Sequence, residues 1–386
     1  MITKISVVIV AFDSGDYLNR AIASVNDAAL YSEFIVDCCV IDNHPEGKDA
    51  QVSSRVSLYV HSMKNLGFGS GCNLGIKLCL EKFDSDYILL LNPDAALKSN
   101  YFVELEKMIR ESTMPILGPV SPLILLDETL YKANFGNLLE IRQDEIITLI
   151  HGHENFQIYS EQGKLISEFT NAHVRVKGSY WLVSKDFPLP DSIYWIFGLN
   201  SSNTVNRSTL NVDEFSEGQI INNAGSYIHP PYIAGDIGYR DLYISENWTL
   251  ERIRSTWCGA CVLLSKEYLA DVGNFDEDFF LYYEDIELGL RSTKKGFTTT
   301  FYPSLVCYHG HSKSTSKDMR SRSFNIWRSR ALFVSKAYGI NFSLVLIIKL
   351  FREIFKSRFS YAHLKHVRRN LSPEMRATLC GILRIK

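Results

Sequence analysis

Ile5-Ser6-Val7-Val8-Ile9-Val10-Ala11 is an apolar, β-branched run of strand length, and Ser14 then opens a segment with Leu18, Ile22 and Val25 at helical spacing. A strand without alternation has no face to offer water, so it must be covered on both sides. Outward from it the same pattern repeats. Phe34 to Ile41 reads as a second buried strand, Val56 to Val60 as a third, Leu74 to Phe83 as a helix after a glycine-rich turn, and Tyr87 to Leu91 as a fourth strand. This alternation predicts an α/β fold with a mostly parallel, Rossmann-like sheet and right-handed crossovers. Ligands on such sheets sit at the carboxyl ends of the strands. That points to Ala11-Phe12-Asp13, Asp42-Asn43 and Asn92-Pro93-Asp94.

The chain has 386 residues, 46% apolar and 22% charged, which is ample for a buried core without staples. A formal net charge of −2 excludes a general nucleic-acid binder, which needs a surplus of cations against phosphate. The charge is unevenly placed. From Arg322 onward there are fourteen Lys and Arg against two acids, Glu353 and Glu374. The eight cysteines are dispersed among apolar neighbours, as in a reducing compartment, and Cys258-x-x-Cys261 has no second pair at a zinc-site spacing. Met1 to Ser6 runs into the first strand without a basic region or cleavage site, so a cytoplasmic location is expected. Four parts follow: residues 1–126 as the first half of an α/β domain, 127–223 as an inserted and β-rich subdomain, 224–320 as the second half of that domain, and 321–386 as a basic helical region.

Several stretches can carry chemistry. Asp42 closes a buried strand, where a carboxylate either faces a crevice, as an acceptor for a uracil or thymine imide N–H, or accepts hydrogen bonds from a neighbouring loop. Asn65-Leu66-Gly67-Phe68-Gly69-Ser70-Gly71-Cys72-Asn73-Leu74-Gly75 offers close backbone approach and a helix start to an anion, yet lacks the lysine of a P-loop. Asp94 follows a strand and a proline and can bind a hard divalent cation through oxygen. Glu284-Asp285 opens a helix behind the aromatic run Phe279 to Tyr283, a setting that suits a general base. Arg291 can reach back to Glu284 or Glu287. His309, after the strand-like Thr298 to Tyr308, can be a metal ligand.

In this order the segments resemble the family 2 glycosyltransferases of GT-A fold, in their rhamnosyltransferase- and galactofuranosyltransferase-like branch, over roughly residues 4–126 and 220–340. The Asn-x-Gly-Phe-x-x-Gly-x-Asn-x-Gly pattern is matched from Asn65 to Gly75, and Phe275-Asp276-Glu277-Asp278-Phe279 precedes the Glu-Asp helix as in that branch. Phe12-Asp13 stands where those proteins carry a tyrosine-asparagine pair, and His44-Pro45 where they carry small polar residues. The resemblance implies Asp285 as catalytic base, with Glu284 beside it. It implies Asp94 and His309 as ligands of Mn²⁺ or Mg²⁺, and Ala11, Asp13, Asp42, Asn65, Gly67, Phe68, Asn73, Asn92 and Asp94 around the nucleotide sugar. Trp257, Gly259 and Ala260 would lie on the acceptor side.

The implied reaction is a single displacement with inversion at the anomeric carbon, from a dTDP- or UDP-sugar with rhamnose favoured, to a hydroxyl of a glycan. The acceptor would be polyprenyl-diphosphate-linked, and the setting surface polysaccharide synthesis, O-antigen or capsule. A sugar nucleotidyltransferase would instead want a basic glycine-rich loop after the first strand, where Asp13-Ser14-Gly15-Asp16 is acidic; a glycan-binding protein draws support from the aromatic insertion alone. In the tail, Phe342, Leu344, Val345, Ile348, Leu350 and Phe351 adjoin Lys349, Arg352, Lys356 and Arg358. That pairing predicts peripheral binding to the anionic inner face of the plasma membrane.

Overall fold

The computed structural model describes residues 2–112, 116–128, 130–134, 146–151, 156–168, 174–177, 180–184, 193–199, 205–210, 216–229, 233–310 and 319–339. The tail residues from Phe342 onward, His311, and the insertion's Pro188 and Pro190 lie outside them. Two compact units are formed. Met1–Leu123, Gly225–Ile237 and Glu251–Lys386 make the first, and Ile124–Ala224 with Gly238–Leu250 the second.

The first unit follows the alternation read from the sequence. It runs β1 (Lys4–Ala11), α1 (Asp16–Ala29), β2 (Ile35–Asp42), β3 (Leu58–His61), α2 (Phe68–Phe83), β4 (Tyr87–Leu91), β5 (Ala95–Leu97), α3 (Tyr101–Glu111) and β6 (Val120–Leu126). β3, β2, β1 and β4 lie side by side and parallel. Past β4 the sheet changes sense. The Cys261–Ser265 strand pairs antiparallel with β4, Cys261 opposite Leu91, and β6, the Thr299–His309 strand and Arg252–Arg254 follow in order. The result is a mixed α/β sheet, parallel from β4 to β3 and antiparallel where the Cys261–Ser265 strand meets β4. Because the Cys261–Ser265 strand runs back along β4, the residues leading into it arrive at the end from which β4 exits.

The helix α2 starts earlier than its pattern predicts, at Phe68 rather than Leu74, so three of the glycines lie inside it. The reason is packing. A Cβ at Gly71 would meet Val10 Cγ1 at 2.7 Å and one at Gly75 would meet Val8 Cγ1 at 2.4 Å. Glycine here permits α2 to lie against β1, at the usual cost in helix propensity. Val8, Val10, Ile41, Ile76, Leu90 and Trp257 join the core beneath it.

In the second unit the described elements are strands apart from one short turn of helix, Ser245–Asn247. Leu165–Glu168, Phe156–Ser160, Tyr180–Ser184, Leu130–Asn134 and Ser216–Gly218 form one antiparallel sheet. Val174–Lys177, Ile146–His151, Ile193–Leu199 and Val205–Leu210 form another. Leu130, Tyr159, Ile220, Leu242 and Ile244 supply a small core. Among the described residues of the chain no helix is long and apolar enough to cross a membrane.

Candidate functional site

At the exits of β1 and β2 the chain builds a buried acidic scaffold. Asp42 is wholly enclosed. Its Oδ1 accepts the N–H of His44 at 2.9 Å, and its Oδ2 accepts the Asp49 N–H at 3.0 Å and the Tyr59 hydroxyl at 2.7 Å. Of the two readings open to it, these contacts match the loop-organising one. Asp49 in turn accepts the N–H groups of Ser14 and Gly15, all at 3.1 Å, and thereby fixes the turn after β1. On that turn Asp13 is exposed, has left-handed backbone (φ 51°), and pairs loosely with Lys48 at 3.7 Å. Phe12 stacks beside His44, ring centroids 4.9 Å apart. Ala11 is buried, its carbonyl accepting the Asn43 N–H.

The glycine-rich segment serves the scaffold more than an anion. Gly67 has φ +83°, and a Cβ there would sit 2.3 Å from the Phe280 carbonyl oxygen. Asn65 caps the Gly67 N–H at 3.0 Å, Asn43 donates to the Gly67 carbonyl at 2.8 Å, and the Phe68 N–H donates to Phe280. The first free donor of α2 is therefore occupied by protein. Asn73 is engaged by protein as well. Its amide donates to the Phe275 carbonyl at 3.0 Å and accepts the Phe275 N–H at 2.9 Å, a two-sided clamp on the segment leading to Glu284.

At the exit of β4 lies the second cluster. β5 pairs with the Thr299–His309 strand, Ala95 opposite His309, and the Gly310 N–H donates to the Asp94 carbonyl at 2.8 Å. That register brings the buried side chains together, His309 Nε2 lying 3.3 Å from Asp94 Oδ1. Asn92 Nδ2 lies 3.4 Å from the same nitrogen. Among the described residues no group of three or more His, Cys, Asp and Glu converges. One carboxylate and one imidazole nonetheless fit a divalent cation of the Mn²⁺ or Mg²⁺ kind, which takes most of its ligands from substrate phosphates and water.

The third element is the Glu284–Lys294 helix. Asp285 is half-buried; its Oδ2 accepts the Gly259 N–H at 2.9 Å and its Oδ1 the Ile286 N–H at 2.8 Å. Burial pushes its carboxyl up to about 6 against the pull of those two donors, and the charge of Asp236 adds to the rise. Glu284 points the other way. It is buried with its Cβ near Gly69, Oε2 has no hydrogen-bond partner, and burial followed by the charge of Asp285 carries its carboxyl up to about 8. Helix-dipole stabilisation, worth up to about 2 kcal/mol, is outweighed by desolvation here. Arg291 reaches Glu287, at 2.8 and 2.9 Å, rather than Glu284, and also binds the carbonyls of Val272 and Asn274.

Gly259-Ala260 joins the last two clusters. Gly259 holds Asp285 while the Ala260 carbonyl accepts the Asn92 N–H at 2.9 Å, and the Phe68 ring lies 3.3 Å from a Cβ built on Gly259. The carboxylate of Asp285 is thus linked through one dipeptide to Asn92, whose side-chain amide lies beside His309. Trp257 does not join them: it is fully buried, edge-on to Phe275 at 6.0 Å, which removes it from any acceptor surface. Sequence reasoning missed Asp49, whose only local signal is a buried acid in a loop, and Asp236. The latter sits on the Ser226–His229/Ile233–Asp236 hairpin, which is tied to Thr256 through Ser226.

Residues 6–156 match the family model described as glycosyl transferase family 2, and residues 243–383 that of glycosyl transferase family group 2. The chain is 34% identical over 81 residues to an N-acetylglucosaminyl-diphospho-decaprenol L-rhamnosyltransferase of Mycobacterium tuberculosis, a match covering 21% of this chain and 26% of that protein. It is 26% identical over 120 residues to a low-salt glycan biosynthesis hexosyltransferase of Haloferax volcanii, 31% of this chain and 37% of that one. The aligned stretches therefore span 26% and 37% of these relatives' own lengths. Among solved structures, a mannosyltransferase of Pyrobaculum calidifontis in complex with GDP-Man and Mn²⁺ overlaps all of this chain and 70% of its own at 10% identity and a TM-score of 0.40.

Proposed function

Since the chain belongs to the family 2 glycosyltransferases, in their rhamnosyltransferase-like branch, we propose that it moves a hexose, rhamnose first, from a nucleotide diphosphate to a hydroxyl of a glycan acceptor with inversion of configuration. The observation that carries this reading is Asp285, a half-buried carboxylate held by Gly259 and linked through the Gly259-Ala260 dipeptide to Asn92, whose amide lies beside the His309 that pairs with Asp94. A carboxyl near neutrality takes a proton from an attacking hydroxyl more readily than an ordinary aspartate does. Asp285 removes that proton as the oxygen attacks the anomeric carbon, and the nucleoside diphosphate leaves. Asp94 and His309 would hold a divalent cation, which supplies neutralisation of charge on the diphosphate. Asn92 orients His309, and the turn that Asp49 fixes after β1 shapes the nucleotide side.

Rhamnose and a polyprenyl-diphosphate-linked acceptor are favoured by the mycobacterial relative, whose name states both its sugar and its decaprenol-linked substrate. The basic tail would keep the protein at an anionic membrane, a binding that salt should weaken. The deciding experiment is a turnover assay with dTDP-rhamnose, UDP-galactose and UDP-N-acetylglucosamine in Mn²⁺. Release of free nucleoside diphosphate that is lost in Asp285→Asn, with nucleotide binding retained, is the expected result. Equal turnover by Asp285→Asn would remove Asp285 from the chemistry.

A further inference from the structure

The segment that delivers Asp285 ends in two consecutive tyrosines with left-handed backbone, Tyr282 at φ 69° and Tyr283 at φ 67°. Residues with a Cβ keep that conformation only where their surroundings impose it. The surroundings are supplied by the Met319–Tyr338 helix. Its Lys336 sets one ammonium against both Asp276 and Asp278, the latter at 2.7 Å. Arg328, almost fully buried, donates to the Asp278 carbonyl at 3.1 Å, and the buried Ser329 hydroxyl donates to the Leu281 carbonyl at 2.7 Å. Between these polar contacts Phe333 packs on the Tyr283 ring, centroids 5.7 Å apart, and Phe279 is enclosed with Leu332 and Val334.

A helix that only needed docking would use the apolar contacts alone, because withdrawing a Lys and an Arg from water opposes folding. Here the polar groups grip the backbone and acids of residues 276–281, immediately upstream of the strained pair. We infer that Lys336, Arg328 and Ser329 are positioning residues for Asp285: through the 276–283 segment they set the angle at which the Glu284–Lys294 helix presents its carboxylate. None of them touches the reacting atoms. The inference rests on the reading of Asp285 as the base.

Lys336→Met tests it, since methionine keeps a stem beside the Phe279 ring and removes the charge. A carboxylate displaced by about 1 Å loses on the order of a hundredfold in rate. The expected result is kcat lower by roughly ten- to a hundredfold, UDP or dTDP affinity unchanged within about twofold, and faster amide exchange confined to residues 276–283. Lys336→Arg should restore most of kcat. Ser329→Ala, which leaves the apolar packing alone, should show the same pattern more weakly and decides the matter if Lys336→Met does not fold. Unchanged kcat in the folded variants, or a loss of nucleotide affinity equal to the loss of kcat, overturns the inference. Asp285→Asn is assayed in parallel. Normal turnover there sinks the base reading, and amide exchange in 276–283 still shows whether Lys336 holds the segment.

Discussion

Replacing Glu284 by glutamine should stabilise the folded protein, and by more as the pH rises. The carboxyl is enclosed below α2, and burial together with the charge of Asp285 moves it from an ordinary 4.5 to about 8. A group whose folded value is raised binds its proton more tightly when folded. Its contribution is fully favourable below pH 4.5 and is lost progressively as pH climbs towards 8. At about 1.4 kcal/mol per pH unit, the loss is on the order of 3 kcal/mol at pH 7 and 4 kcal/mol at pH 8, where the folded carboxyl is itself half ionised. Glutamine copies the shape of the protonated acid and carries no titrating proton, so the variant avoids that loss. Thermal unfolding of both proteins at pH 5, 6, 7 and 8 gives the answer. Melting temperatures should nearly coincide at pH 5 and separate by several degrees at pH 8, with the variant higher. A difference that does not change with pH, or a wild type that melts higher at pH 8, refutes the account of Glu284 as a buried, uncharged acid.

In the acid limb of its kcat/KM profile the enzyme should report Asp285 losing its proton near pH 6. Asp236→Asn, by removing a negative charge that holds the proton on, should move that limb to lower pH, and an unmoved limb counts against their proximity. Asn73→Ala should cost about 2–3 kcal/mol of stability from its two backbone bonds while nucleotide affinity holds, measured by urea unfolding and calorimetry. Asp94→Asn should abolish any gain in UDP or dTDP affinity produced by Mn²⁺; wild-type turnover that survives EDTA would remove the metal from the mechanism. Gly67→Ala should lower the melting temperature, measured by thermal unfolding, because its Cβ and the Phe280 carbonyl oxygen cannot share the space and its φ of +83° strains any residue with a Cβ; an unchanged melting temperature would refute the close approach.

Much of the α/β frame was legible in local pattern alone. Ile5 to Ala11 and Tyr87 to Leu91 read as strands because continuous apolar runs of that length fit a sheet covered on both faces, and Asn92-Pro93-Asp94 and Glu284-Asp285 stood out because each sets a carboxylate directly after a bulky apolar run. Pattern of that kind carries no partners. The loop that surrounds Asp42, the clamp of Asn73 on Phe275 and the burial of Trp257 depend on residues from 2 to 202 positions apart, and side chains of one type serve a ligand or a loop equally well until those neighbours are present. The division of labour within Glu284-Asp285 is the sharpest case. Two adjacent acids at one helix start look alike in sequence, but successive positions on a helix point about 100° apart. One therefore meets Gly259, just ahead of the Cys261–Ser265 strand, while its neighbour is sealed beneath α2. Only long-range packing decides which of the two remains in reach of a substrate.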